Sequence, residues 1–210
     1  FDGTKVLHDV AFEVRPGEVH ALVGENGSGK STTVKILAGV YNADDNAYVS
    51  VGGQPLDLGD PGASDALGLR FVHQDLGLVP TLDARDNLAF GQGFDTGFAG
   101  RISWRREGEA AKKALSRLGY DIDVTIPVAN LSISERTAIA IARALSPRRD
   151  RPQVVVLDEP TANLPESEVE RLFSSIRRLR DDGIGILFIS HHFEEVFDLA
   201  DRVTVLRDGH

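Results

Sequence analysis

The chain contains no cysteine. A disulfide framework and a thiolate metal site are therefore excluded, and the cytosol is an allowed compartment. Methionine is also absent, even at the start. The chain opens on Phe1 and stops just after a strand-like segment, which reads as a piece of a longer polypeptide. Long apolar runs are missing too. None approaches the roughly 18 residues of a membrane span, and no signal-peptide pattern is present. Positive charge is scarce: 23 Lys and Arg stand against 32 Asp and Glu, a formal net charge of −9. Duplex nucleic-acid binders carry a basic patch. The only dense basic run here, Arg148-Arg149-Asp150-Arg151, lies between Pro147 and Pro152 and reads as a solvated loop. No nucleic-acid partner is expected.

What is present is an ordinary globular balance over 210 residues, enough for one domain with a subdomain and for a core that needs no staples. Val10–Val14 alternates like a half-buried strand and is followed by a Pro16-Gly17 turn. Val19–Val23 is a short apolar run, Lys30–Leu37 is helical with Gly39 at its end, and Tyr48–Val51 reads as a strand before a Gly52-Gly53 turn. Leu69–Val72 is a further strand. Residues from about 75 to 146 are helical in character, near Asp86–Phe90, Trp104–Leu118 and Ser132–Leu145. The glycine-rich stretch 91–100 between the first two reads as a loop. Val154–Leu157 is a continuous apolar run, as expected of a strand buried on both faces of a parallel sheet. An amphipathic helix through Val169, Leu172, Phe173, Ile176 and Leu179 follows, with Ser167 and Glu170 as a candidate capping box. Ile184–Ile189 is a second buried strand, Phe193–Leu199 a helix and Val203–Leu206 a last strand. Strands alternating with helices predict an α/β fold with right-handed crossovers and a helical insertion.

Two segments carry chemistry. Gly24-Glu25-Asn26-Gly27-Ser28-Gly29-Lys30-Ser31, followed by Thr32, matches the P-loop pattern between a predicted strand and a predicted helix. Glycines let backbone N–H groups face phosphate oxygens, and the helix N-terminus adds its positive dipole end. Lys30 is a point charge for the β- and γ-phosphates, and the Ser31 hydroxyl is a magnesium ligand. Asp158-Glu159 ends the strand at Val154, at the mouth of the sheet where α/β ligands bind. Asp158 is a magnesium ligand, directly or through water, and Glu159 a general base for the attacking water. ATP and Mg²⁺ are the expected cofactors.

In order and context these segments resemble ABC ATPases over nearly the whole chain. Residues 22–32 look like their Walker A, Val72-His73-Gln74-Asp75 like their Q-loop, Asp158-Glu159-Pro160-Thr161 like Walker B, and Ile189-Ser190-His191 like their switch strand. The resemblance implies a P-loop NTPase core: a mixed, mostly parallel sheet, an N-terminal antiparallel β part, and a helical subdomain at about 75–146 inserted in a single domain of 1–210. It implies that Gln74 touches magnesium and the attacking water, that His191 reaches the γ-phosphate, and that Phe1 stacks on adenine. Taken alone, Gln74 is an ordinary surface residue, His191 an ordinary strand-end histidine, and Phe1 a chain terminus.

Two departures stand out. The family signature, usually Leu-Ser-Gly-Gly-Gln, reads Leu131-Ser132-Ile133-Ser134-Glu135. Ser132 and the helix start remain for a γ-phosphate, while Glu135 brings negative charge. After Thr161 the usual Ser-Ala-Leu-Asp reads Ala162-Asn163-Leu164-Pro165. Both departures, with the ending from Ile189 to Gly209, are similar to ATPases of bacterial carbohydrate importers of the ribose, galactose and xylose type. That resemblance implies the first of two ATPase halves, peripheral on the cytoplasmic face of a membrane. It also implies permease subunits and a second ATPase domain as partners, and indirectly a sugar-binding protein. The alternatives are an ABC ATPase acting on ribosomes or nucleic acid, and a domain with degenerate hydrolysis.

Overall fold

The computed structural model describes residues 5–90, 92–96, 100–146 and 152–210. Phe1, the run at 148–151 and part of the stretch 91–100 lie outside them. The chain forms two compact units. The first is Phe1–Gln74, Asp150–Ala162 and Leu179–His210, and the second Asp75–Arg149 with Asn163–Arg178.

The first unit holds a parallel sheet. Its strands are β1 (Val19–Val23), β4 (Leu69–Val72), β5 (Val154–Asp158), β6 (Gly185–Ile189) and β7 (Arg202–Val205), in the order β4-β5-β6-β1-β7. Every residue of β1 and β6 is buried, so these central strands are continuous apolar runs instead of alternating ones. The one polar residue of β1, His20, places Nε2 2.8 Å from the Thr204 hydroxyl of the edge strand. A separate two-stranded antiparallel pair joins β2 (Ser50–Val51) to β3 (Gln54–Pro55). Helices α1 (Lys30–Leu37), α2 (Pro61–Ala66) and α7 (Phe193–Leu199) complete this unit. α2 is capped by Asp60, which accepts from the Gly62 N–H, and has Pro61 at its first position. The apolar core gathers Leu22, Val34, Val156, Leu187, Ile189 and Leu206.

Val10–Val14 departs from expectation. Exposure does alternate along it, but these residues join no strand. Val10, Phe12 and Val14, with Leu7, instead pack against the apolar core, and the segment borders a cavity of about 1240 Å³.

The second unit is helical: α3 (Ala84–Ala89), α4 (Trp104–Arg117), α5 (Ile133–Ala144) and α6 (Glu166–Asp181) as far as Arg178. Asn87, fully buried, accepts from the Val79 N–H and donates to Val79 O and Asp83 O, which fixes the turn before α3. α5 buries Ala138, Ile139, Ala140, Ile141 and Ala142 in succession, so it is covered on nearly all sides.

Candidate nucleotide-phosphate site

Parallel strands end at one edge of their sheet, and register decides which ends meet. Leu22 of β1 pairs with Ile189 of β6, Asp158 of β5 pairs with Ile189, and Val72 of β4 pairs with Leu157. The residues that follow these aligned ends are Gly24 after β1, Glu159 after β5, Ser190-His191 after β6, and His73-Gln74 after β4. Four segments far apart in sequence are thus delivered to the carboxyl edge of one sheet, the usual ligand position in α/β folds.

Residues 24–29 cross from β1 to α1. A Cβ at Gly24 would stand 2.2 Å from the Leu206 carbonyl oxygen and 2.5 Å from Ser28 Oγ, so the backbone passes there without a side chain. Gly29 caps α1 in a left-handed conformation, with no side-chain hydrogen bond to the helix and no acidic residue in the first turn. The N–H groups of that turn are left to an outside acceptor. Lys30 is buried, and its Nζ donates to the carbonyls of Gly24 at 2.7 Å and Glu25 at 3.0 Å, bracing the loop it serves. Ser28 Oγ is buried without a hydrogen-bond partner. An anion seated on this loop would supply that acceptor, so the cradle fits a phosphate chain. Glu25, Asn26 and Gly27 are exposed on its rim, Ser31 is exposed at the first turn of α1, and Thr32 is half-buried.

Asp158 is the last residue of β5. Burial raises its carboxyl above the usual aspartate range. The adjacent Glu159 charge adds to this, while His73 and Lys30 pull it back. A carboxylate whose charge is costly in these surroundings gains from a cation beside it, which suits a cation ligand. Among the described residues no three His, Cys, Asp or Glu side chains gather as a metal centre. A hydroxyl at Ser31 with one carboxylate at Asp158 still fits magnesium, which takes one or two protein groups and completes its shell with water and substrate phosphates.

Glu159 follows in a left-handed backbone conformation, φ 48°. Its N–H donates to the Ile189 carbonyl at 3.0 Å. Its Oε1 lies 3.0 Å from His191 Nδ1. The structure therefore pairs the two residues that the sequence assigns to water activation and γ-phosphate sensing. Gln74 is exposed just beyond β4. Sequence reasoning passed over Glu195 and Glu168. Glu195 accepts hydrogen bonds from Thr161 and Ser190, and Glu168 accepts from the Ser134 N–H.

Ser132 belongs to the second unit. It is the N-cap of α5 in a closed capping box: its Oγ accepts from the Glu135 N–H, and Glu135 Oε2 accepts from the Ser132 N–H at 2.9 Å. The hydroxyl assigned to a γ-phosphate thus caps its own helix as an acceptor, and its O–H remains a donor within reach of Ser134 Oγ at 3.2 Å.

A glycine loop between a buried parallel strand and an uncapped helix, with paired acids at the neighbouring strand end, defines a P-loop nucleotide-binding domain. Residues 7–162 match the family described as ABC transporter, and the chain belongs to that family. It is 47% identical over 210 residues to the ribose import ATP-binding protein RbsA 2 of Rubrobacter xylanophilus, covering 100% of this chain and 40% of that relative. It is 41% identical over 209 residues to RbsA of Hahella chejuensis, covering 100% of this chain and 41% of that one. The chain thus spans well under half the length of these curated relatives. Among solved structures it is similar to an ATP-binding cassette of an ABC transporter in its ADP conformation, with TM-score 0.85 and 25% identity over 100% of this chain and 84% of that one. It is also similar to cbiO1 of Clostridium perfringens, part of the transporter complex cbiONQ, with TM-score 0.81 and 26% identity over 99% and 80% of the two chains.

Proposed function

We infer that this chain binds ATP with magnesium on residues 24–32, hydrolyses it, and powers import of a sugar across a bacterial cytoplasmic membrane. The observation that carries the reading is the delivery of the P-loop, Asp158-Glu159, His191 and Gln74 to one edge of one parallel sheet. The backbone N–H groups after Gly24 and the α1 N-terminus bind the phosphates, and Lys30 turns from the loop carbonyls to the β- and γ-oxygens. Magnesium, held by Ser31 and Asp158 with Gln74 nearby, supplies positive charge to the phosphate oxygens when bound. Glu159 takes a proton from the attacking water. His191, fixed against Glu159 through Nδ1, holds that carboxylate and faces the γ-phosphate with the rest of its ring.

The sugar, and the partners that go with it, rest on the relatives named as ribose import proteins. A second ATPase domain, permease subunits and a peripheral place on the inner face of the membrane follow from the same likeness. No helix among the described residues is long and apolar enough to cross a membrane. Nucleotide binding without turnover is the second reading, and the closed capping box at Ser132 is the observation that favours it. Glu159→Gln in the full-length natural protein separates the two. The amide keeps the shape and loses the basic lone pair, so MgATP binding persists and turnover is lost. Normal hydrolysis by that variant would remove Glu159 as the base.

A further inference from the structure

We propose that Glu195 is a positioning residue for hydrolysis, holding Glu159 and His191 in register by clamping the two loops that carry them. This rests on the ATPase reading above. Glu195 lies in the first turn of α7 and reaches back to the carboxyl edge of the sheet. Its Oε2 accepts from Thr161 Oγ1 at 2.8 Å and from Ser190 Oγ at 2.8 Å. Thr161 stands two residues after Glu159, and Ser190 immediately precedes His191. A single oxygen therefore joins the segment after β5 to the segment after β6. Both hydroxyls are buried, Thr161 at 5% and Ser190 at 1% exposure, so neither has bulk water as a substitute acceptor. Ser190 Oγ in turn accepts from the His192 N–H at 3.0 Å, which extends the clamp to the far side of His191.

The backbone at Glu159 explains why a clamp is needed. A non-glycine residue at φ 48° persists only where its surroundings over-determine it. One restraint is the bond from the Glu159 N–H to Ile189 O. The other is Glu195, acting two residues on. The Glu159–His191 pair is the exposed end of this assembly: His191 is 42% exposed, too open to be held by packing. Neither Thr161 nor Ser190 is assigned a ligand contact, and no hydrogen bond links Glu195 to the P-loop among the described residues. Its effect therefore falls on geometry at the reacting centre and leaves phosphate binding alone.

The test is steady-state kinetics, MgATP titration and thermal unfolding of the full-length protein carrying Glu195→Ala, Glu195→Gln or, as reference, Glu159→Gln. Glu195→Ala leaves two buried hydroxyls without an acceptor and frees the two loops. A displacement of about 1 Å at a reacting centre costs roughly 100-fold, so kcat falls about 10- to 100-fold while KM and MgATP affinity stay within about twofold. Glu195→Gln keeps a carbonyl oxygen that accepts from both hydroxyls, and its amide N takes the place of Oε1, which has no partner among the described residues. Its kcat recovers to within about threefold of the parent. If Glu195→Ala does not fold, Thr161→Val, which removes one donor and keeps the shape, replaces it with the same split in kcat and KM. An unchanged kcat, a parallel loss of affinity, or a Gln variant as impaired as the Ala variant would overturn the proposal. Glu159→Gln distinguishes the two levels: turnover unaffected by it sinks the ATPase reading itself, whereas turnover lost there and retained in Glu195→Ala sinks only the clamp.

Discussion

Gly24→Ala should damage this protein twice, once in stability and once in nucleotide affinity. The added methyl would sit 2.2 Å from the Leu206 carbonyl oxygen and 2.5 Å from Ser28 Oγ. An ordinary C···O approach is about 3.3 Å, so something must move by about 1 Å. Ser28 Oγ can rotate. The Leu206 carbonyl cannot, because Leu206 is buried and its N–H donates to Val23 O at 2.7 Å, tying the end of β7 to the end of β1. The loop therefore lifts away from the sheet. Overpacking of this kind costs about 1–3 kcal/mol, which for a chain of this size lowers Tm by roughly 2–4 °C per kcal/mol. The lifted N–H groups also lose their aim at the phosphates. One lost hydrogen bond to a charged group is worth about 1.5–3 kcal/mol, or about 10- to 100-fold in affinity. Gly27→Ala is the comparison: φ is 85° there, but no atom lies within 4 Å of the added Cβ, so only left-handed strain of about 1–2 kcal/mol applies. The assays are thermal unfolding without nucleotide and calorimetric titration with MgATP. A Gly24→Ala protein matching the parent in Tm and in affinity would refute the reasoning.

Lys30→Ala should weaken MgATP binding by about 100-fold, since a buried ammonium serving two phosphates is lost; unchanged affinity in direct titration would remove the P-loop assignment. Asp158→Asn should raise Tm without nucleotide at neutral pH while cutting magnesium-dependent affinity about 10-fold or more. The sign follows from burial, which raises the folded-state pKa: the ionised group costs stability as pH climbs through that pKa, the amide does not, and the gain in Tm should vanish in acid. The 210-residue chain carrying Glu159→Gln should be a monomer, or at most a weak dimer, in dilute MgATP by light scattering, and a tight ATP-dependent homodimer would show that its signature is fully competent.

Elements built on continuous burial or on glycine chemistry were legible in the sequence. β1, α1 and α7 fall on the predicted residues, because the run Val19–Val23, the loop before Lys30 and the spacing of Phe193 to Leu199 each admit one local structure. Where partners decide, sequence pattern was weaker. The alternation of Val10–Val14 gave the buried and exposed sides correctly, but alternation names a face and not the neighbour that completes a ladder. Tyr48–Val51 shortens to Ser50–Val51 for the same reason. α2 went unread because six residues carry too little apolar periodicity, although Asp60-Pro61 was a start signal. The Ser167–Glu170 capping box does not form, since α6 begins at Glu166 and places Ser167 inside the first turn. The same Ser-x-x-Glu pattern does close at Ser132–Glu135. Glu195 was not legible as a bridge: Ser190 lies five residues before it, but its other partner Thr161 is 34 residues away, and only the fold brings that pair together.

The contrast between two helix starts bears on how the chain divides its labour. Each α-helix begins with four N–H groups lacking an internal acceptor, and each such end attracts negative charge. At α1 the first turn holds no acidic residue and no capping side chain, and Lys30 adds a cation. At α5 the same kind of end is already occupied. The Ser132 N–H donates to Glu135 Oε2, the Glu135 N–H to Ser132 Oγ, and the Ser134 N–H to Glu168 Oε2 at 3.0 Å. These bonds also favour the ionised acid: hydrogen bonding from Ser134 holds the Glu168 carboxyl below the usual glutamate range. A phosphate approaching α5 would compete with two carboxylates for the Ser132 and Ser134 N–H groups. It would also face each of them at about 4 kcal/mol of repulsion for unit charges ~4 Å apart at an effective dielectric near 20. Glycines at 133 and 134 would leave such an end open to backbone approach. Ile133, which is exposed, and Ser134, which is buried, put side chains there instead, and the end is capped. The α1 start is thus open to an anion, while the α5 start is already capped by two carboxylates, and a phosphate at Ser132 would meet the charge of Glu135 and Glu168.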